Sequence, residues 1–233
     1  ILPKMVTKMI KRNTYLKMLI DSKENGFPKV ITGIRRCGKS TLLNILYREY
    51  LKETGINDEQ IIYLDLTDTD NLRYCDPIYL NDYIIELTKN KNVIYYVFLD
   101  EIQNVDKWEK TVNSFKAKEK YSIFITGSNS DLLSGELATH IAGRYVSFKI
   151  YPFNFFEVCK LKNIDNNNKY ELKEYFDDYI KWGGLPQRFE FKLESQIKTY
   201  LSDVYDSIIV KDIINRFEIK DLDLFNRIVE YIV

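Results

Sequence analysis

Residues 30–41 read VITGIRRCGKST, and both the fold and the chemistry of the chain turn on that stretch. Gly33, four intervening residues and then Gly38-Lys39-Ser40 reproduce the phosphate-loop spacing of glycine, four residues, Gly-Lys-Ser/Thr. The flanks agree. Residues 29–32 read as a short buried strand, and residues 40–50 as an apolar-periodic helix. In a strand–loop–helix unit of this kind the backbone N–H groups of Gly33, Ile34, Arg35, Arg36, Cys37, Gly38, Lys39, Ser40 and Thr41 curl around phosphate oxygens. The helix N-terminus adds the positive end of its dipole. Lys39 is expected to place its ammonium on the outer phosphates, and the Ser40 hydroxyl to bind Mg²⁺. Arg35 and Arg36 raise the local potential, with their side chains expected to point outward. Cys37 could act as an oxidation-sensitive thiol, although a small residue filling a small space is the simpler reading.

Working outward, strands and helices alternate. Residues 5–21 read as an opening helix, broken by Asn25-Gly26 and Pro28. Residues 61–66 read as a second strand, 77–89 as a helix, and 93–99 as a strand apolar on both faces. Residues 106–120 suit an amphipathic helix, 121–126 a strand, 131–140 a short helix and 145–150 a further strand. Mostly apolar strands alternating with helices predict an α/β fold, a mainly parallel sheet between helical layers. Beyond Pro152 the pattern is helical. A division near Tyr151 is therefore expected, with a nucleotide-binding core over 1–151 and a helical region over 152–233.

A second group of motifs extends the phosphate loop. The strand YYVFL runs into Asp100-Glu101, and parallel sheets place ligand chemistry at the carboxyl ends of their strands. Asp100 fits a residue holding Mg²⁺, directly or through water, and Glu101 a base that polarises the attacking water. The alternative is a pair that begins a loop or caps a helix. The next strand, ending in Thr126-Gly127-Ser128-Asn129, would lie beside the phosphate loop. Ser128 or Asn129 could then reach the γ-phosphate, though both are also common turn residues. Arg144, after Gly143, could neutralise transition-state charge within one subunit or across to a neighbour. A homo-oligomer is thus left open.

Composition bounds the partners. Lys+Arg and Asp+Glu both number 34, so no global charge argues for nucleic acid. Only the run Lys116, Lys118, Lys120 keeps nucleic acid as a partner class, and such a run usually marks a solvated helix face. With His140 the one histidine, a histidine-based triad or zinc site is not expected. Three scattered cysteines suggest a reducing compartment, and with no signal peptide and no bilayer-length apolar run the expectation is cytoplasmic, without a membrane partner. The chain does not begin with Met and ends within a helical pattern, which suggests a piece of a longer protein.

GIRRCGKSTLL, FLDEIQNVDKWE and ITGSNSDLL, followed by LATHIAGRYVSFKIYPFNFFEV and WGGLPQ, occur in an order that resembles prokaryotic AAA-type P-loop ATPases with a C-terminal domain of unclear function. The resemblance implies ATP with Mg²⁺, Asp100 and Glu101 as the metal and water-activating pair, a polar sensor at Ser128 or Asn129, and Arg144 as the family's Gly-Arg arginine. It also implies that the C-terminal portion, winged-helix and nuclease-like in the family, is largely missing beyond Val233. Three functions remain in view. ATP hydrolysis coupled to a conformational change leads, ahead of an ATP-gated switch with little turnover. A small-molecule or nucleotide kinase is third, because no lid and acceptor-binding arginine set is found.

Overall fold

The computed structural model describes residues 9–90, 92–127, 145–165, 167–214 and 217–232. Ser128, Asn129, Arg144 and the helix expected over 131–140 lie outside the described residues. Five strands form one sheet in the order β2-β3-β4-β1-β5: β1 (Lys29–Thr32), β2 (Ile61–Asp65), β3 (Tyr95–Asp100), β4 (Tyr121–Thr126) and β5 (Val146–Lys149). Every pairing is parallel. All carboxyl ends therefore share one edge of the sheet, and β4 separates β1 from β3. The strand after the acidic pair lies beside the phosphate-loop strand, as its position in the chain suggested.

Strand alternation sorts the side chains between two cores. Val97, Leu99, Ile123 and Ile125 face one side and pack with Leu80 and Ile84 of α3 (Pro77–Leu87) and with Trp108, Val112 and Phe115 of α4 (Trp108–Lys116). Tyr96, Phe98 and Phe124 face the other, beneath Leu19 of α1 (Asn13–Ser22) and the helix after the phosphate loop. That helix, α2, runs continuously through Lys39–Thr41, Leu42–Tyr47 and Arg48–Glu53, its middle stretch π-helical. The wider turn accompanies burial of Leu42, Leu43, Leu46 and Tyr47, with the Tyr47 ring 4.9 Å from Phe124 and 5.8 Å from Phe98. Each fully buried ring or leucine contributes roughly 1.5–3 kcal/mol. This anchoring is the reason α2 holds its N-terminus at the sheet edge. The same alternation puts Asp100, two residues beyond Phe98, on the α2 side.

Several boundaries are set by tertiary contacts. The opening helix spans Asn13–Ser22 within the described residues, because Arg12 is left-handed (φ 33°) and turned inward. The helix expected over 106–120 is confined to Trp108–Lys116, preceded by left-handed Lys107. Lys116 and Lys118 lie over the rings of Phe27 and Phe115, and Lys120 donates to the Thr88 carbonyl. These lysines pack as half-buried stems.

The chain separates into two compact units, Ile1–Pro186 and Gln187–Val233, rather than near Tyr151. Bonds carried by residues after 151 account for the difference. Helix α5 (Phe155–Lys162) opens with a reciprocal cap, Glu157 N donating to Asn154 Oδ1 (2.8 Å) and Asn154 N to Glu157 Oε2 (3.0 Å). Glu157 is in turn paired with Arg12. Helix α6 (Lys169–Trp182) ends at Gly183 (φ 72°), and the Gly184 carbonyl accepts from Phe153 N (2.7 Å). A Cβ on Gly184 would stand 1.9 Å from the Phe153 carbonyl oxygen, so close approach explains that glycine of the WGGLPQ motif. In the second unit, α7 (Glu194–Ile208) buries Ile197, Tyr200 and Val204, and α8 (Leu222–Ile232) follows.

Candidate nucleotide site

β1 ends at Thr32, residues 33–38 form the loop, and α2 begins at Lys39. Gly33 has φ 153°, and a Cβ there would lie 2.3 Å from the Ile150 carbonyl oxygen and 2.8 Å from Cys37 Sγ. The first glycine is thus required by the strand end behind the loop as well as by any ligand in front. Gly38 (φ 98°) occupies the left-handed region that favours glycine. Cys37 is fully buried, and burial raises its thiol pKa, with Lys39 and Arg12 only partly offsetting this. A buried, protonated thiol fits the packing reading and not the oxidation switch. Ile34, Arg36, Ser40 and Thr41 are exposed, and Arg35 is half-buried.

Lys39 is 4% exposed. Its Nζ donates to the carbonyls of Gly33 (3.0 Å) and Ile34 (3.3 Å) and stands 3.9 Å from Glu101 Oε1. The ammonium is folded onto its own loop and can exchange two neutral acceptors for anionic ones, which bind it more strongly.

Asp100 and Glu101 occupy the carboxyl end of β3, where the sequence put them. Asp100 is 1% exposed. Tyr63 donates its hydroxyl to Asp100 Oδ2 (2.8 Å), and Thr126 donates to Oδ1. Burial, followed by the Asp100 charge, raises the Tyr63 pKa and keeps its hydroxyl a donor. Thr126 Oγ1 also accepts from Glu101 N (3.0 Å). One hydroxyl therefore fixes both acidic residues. Glu101 is left-handed (φ 54°), a conformation costing roughly 1–2 kcal/mol for a residue with a side chain. Gln103 Nε2 donates to Glu101 Oε2 (2.6 Å) and Asn104 Nδ2 to the Glu101 carbonyl (2.9 Å), which offset that cost and aim the carboxylate.

Ser40 and Asp100 are hard oxygen donors of the kind a divalent cation such as Mg²⁺ takes. An ionised carboxylate accepts at about four positions. With one donor on each oxygen, Asp100 retains acceptor capacity for a cation or its water. The donor set fits Mg²⁺.

Tyr63, Thr126, Gln103 and Arg12 were not singled out in the sequence. Tyr63 and Thr126 were findable by alternation, since both fall on the α2 side of the sheet. Arg12 carried no signal, yet its buried guanidinium reaches Glu157 Oε1 (Nε, 2.9 Å), Glu157 Oε2 (Nη2, 3.2 Å), the Cys37 carbonyl (Nη1, 3.0 Å) and the Tyr151 carbonyl (Nη2, 2.7 Å). Beside it lies a cavity of about 770 Å³, lined among others by Met9, Ile10, Asn154, Phe156 and Glu157. That volume is in the range of small-molecule sites.

Residues 25–159 match the family described as AAA domain. An uncharacterized protein of Haemophilus influenzae is 40% identical over 224 residues, covering 96% of this chain and 55% of that protein. Uncharacterized protein MJ1544 of Methanocaldococcus jannaschii is 35% identical over 225 residues, covering 92% and 47%. The chain thus spans about half the length of the curated relatives it matches. Among solved structures, the Walker-type ATPase PABY2304 of Pyrococcus abyssi superposes with a TM-score of 0.52 at 15% identity, covering 95% of this chain and 77% of that one. No described helix is long and apolar enough to cross a membrane.

Proposed function

Because the chain belongs to the AAA-domain family of P-loop ATPases, we propose that it binds ATP with Mg²⁺ on residues 33–41 and hydrolyses the β–γ phosphoanhydride. The observation that carries the reading is the position of Glu101: a carboxylate clamped by Gln103 and 3.9 Å from the Lys39 ammonium, at the end of a strand one removed from the phosphate loop. β4 lies between the strand that feeds the loop and the strand that ends in the acidic pair, so the two groups come from separate strand ends.

In this mechanism the loop N–H groups and the α2 N-terminus hold the phosphates. Lys39 leaves the Gly33 and Ile34 carbonyls for the outer phosphate oxygens. Ser40 and Asp100 would hold the cation, which would supply charge neutralisation for the phosphate oxygens. Glu101 accepts a proton as water oxygen bonds the γ-phosphorus and the bridging P–O bond to ADP breaks. Ser128 or Asn129 contacts the γ-phosphate, and Arg144 neutralises its developing charge. Positioning and charge supply most of the rate in such a reaction.

The test is steady-state Mg²⁺-ATP hydrolysis by the wild type and by Glu101→Gln over a range of protein concentrations, with ATP binding measured in parallel. The mutant should bind ATP and lose turnover by at least ~100-fold. Lys39→Ala should lose tight binding. Equal turnover in Glu101→Gln would remove the base assignment. Tight binding without turnover in the wild type would favour an ATP-gated switch.

A further inference from the structure

We infer that Arg12 is a positioning residue that couples the geometry of the phosphate loop to helix α5. The inference rests on the nucleotide reading above. A peptide unit is planar and trans, so the Cys37 carbonyl and the Gly38 N–H are parts of one rigid plate and point in opposite directions. Arg12 Nη1 donates to that carbonyl at 3.0 Å, and by fixing the carbonyl it fixes the direction of the Gly38 N–H. The same guanidinium grips both oxygens of Glu157 and the Tyr151 carbonyl. Glu157 Oε2 also accepts from Asn154 N, the residue that caps α5. One planar cation therefore bridges the loop peptide to the first turn of a helix whose Glu157 is 145 residues from Arg12 in sequence.

The arrangement is built for arginine. Tyr15 and Phe153 lie 4.5 and 5.2 Å from the guanidinium carbon, and the group is almost wholly buried. A lysine has the charge but not the planar fork, so it cannot hold Cys37, Glu157 and Tyr151 together. Tightening of the loop around a nucleotide would act on α5 through this bridge. Loss of the bridge should loosen the loop without touching Lys39 or Glu101.

Hydrogen exchange with and without saturating Mg²⁺-ATP, read together with Kd and kcat, tests this. In the wild type, ATP should slow exchange in residues 38–41 and 154–160 together. Arg12→Lys keeps a cation opposite Glu157, and Arg12→Met with Glu157→Met removes both charges, so neither leaves an unpaired buried ion. Both should raise the Kd for ATP at least ~10-fold, while kcat at saturation changes less than about threefold. ATP should still protect residues 38–41 in both, but no longer 154–160. Absence of protection at 154–160 in the wild type overturns the coupling before any variant is made. So does a folded variant with wild-type Kd and wild-type protection of α5. A wild type that binds no ATP overturns the nucleotide reading, and this inference with it.

Discussion

Thr126 shows how much of the site hangs on single hydrogen bonds. Its hydroxyl donates to Asp100 and accepts from the Glu101 N–H, so it orients the carboxylate assigned to the cation and the residue assigned to the water. Thr126→Val keeps the shape but leaves two buried polar groups short of a partner, each costing roughly 1–3 kcal/mol. The variant should lower the urea midpoint and reduce kcat at least ~10-fold, whereas Thr126→Ser, which keeps the oxygen, should recover most of both. Glycines allow a similar contrast. Gly33 and Gly55 both have positive φ, but a Cβ on Gly55 meets nothing within 4 Å, while one on Gly33 strikes the Ile150 carbonyl. Gly55→Ala should cost only backbone strain, roughly 1–2 kcal/mol. Gly33→Ala should cost about 1–3 kcal/mol more from overpacking, measured as the difference in unfolding free energy.

At the scale of elements, β1 carries opposing features at its two ends. The carboxyl end feeds the phosphate loop, while Lys29 at the amino end is buried, donating to the Lys23 carbonyl and Ser122 Oγ (both 3.2 Å) without a carboxylate partner among the described residues. Burial lowers its pKa to about 8 from 10.5. Between those values the unfolded chain holds a proton that the folded chain does not, so folding stability rises with pH across the window. Below about pH 8 the cost of burying the charge, roughly 3 kcal/mol, is fully present; above 10.5 it is gone. Wild type should therefore gain stability relative to Lys29→Met between pH 8 and 10.5, read from urea midpoints of the pair. Helix α5 offers a simpler case. Asn154→Ala removes the acceptor for Glu157 N and should cost about 1 kcal/mol.

Across the whole molecule, the question is whether one chain completes its own site. If Arg144 acts on a neighbour's phosphate, mixing Arg144→Ala with Glu101→Gln chains should restore part of the activity that each has lost, because some mixed interfaces pair an intact arginine with an intact glutamate. If Arg144 serves its own chain, every mixture stays inactive. A rise in turnover per chain with protein concentration accompanies the first outcome. The sequence placed β4 beside the phosphate-loop strand, but nothing local says that β2 and β5 take the two edges of the sheet. Nor was the division of the chain at Pro186 legible in the sequence; it follows from bonds made by Arg12, Glu157 and Gly184 to distant segments.

By itself the sequence determined the loop at 33–41, the acidic pair at the end of a buried strand, and the alternation that makes the sheet parallel. These are local facts, because glycine spacing, continuous apolar runs and a carboxylate at a strand end act within a few residues of one another. Only the tertiary structure decided which groups support them. Tyr63 and Thr126 meet Asp100 from neighbouring strands, and Arg12 meets Cys37 and Glu157 from the opening segment. Such partners are chosen by how strands are ordered and how a buried charge is satisfied, and neither leaves a periodic mark along the chain.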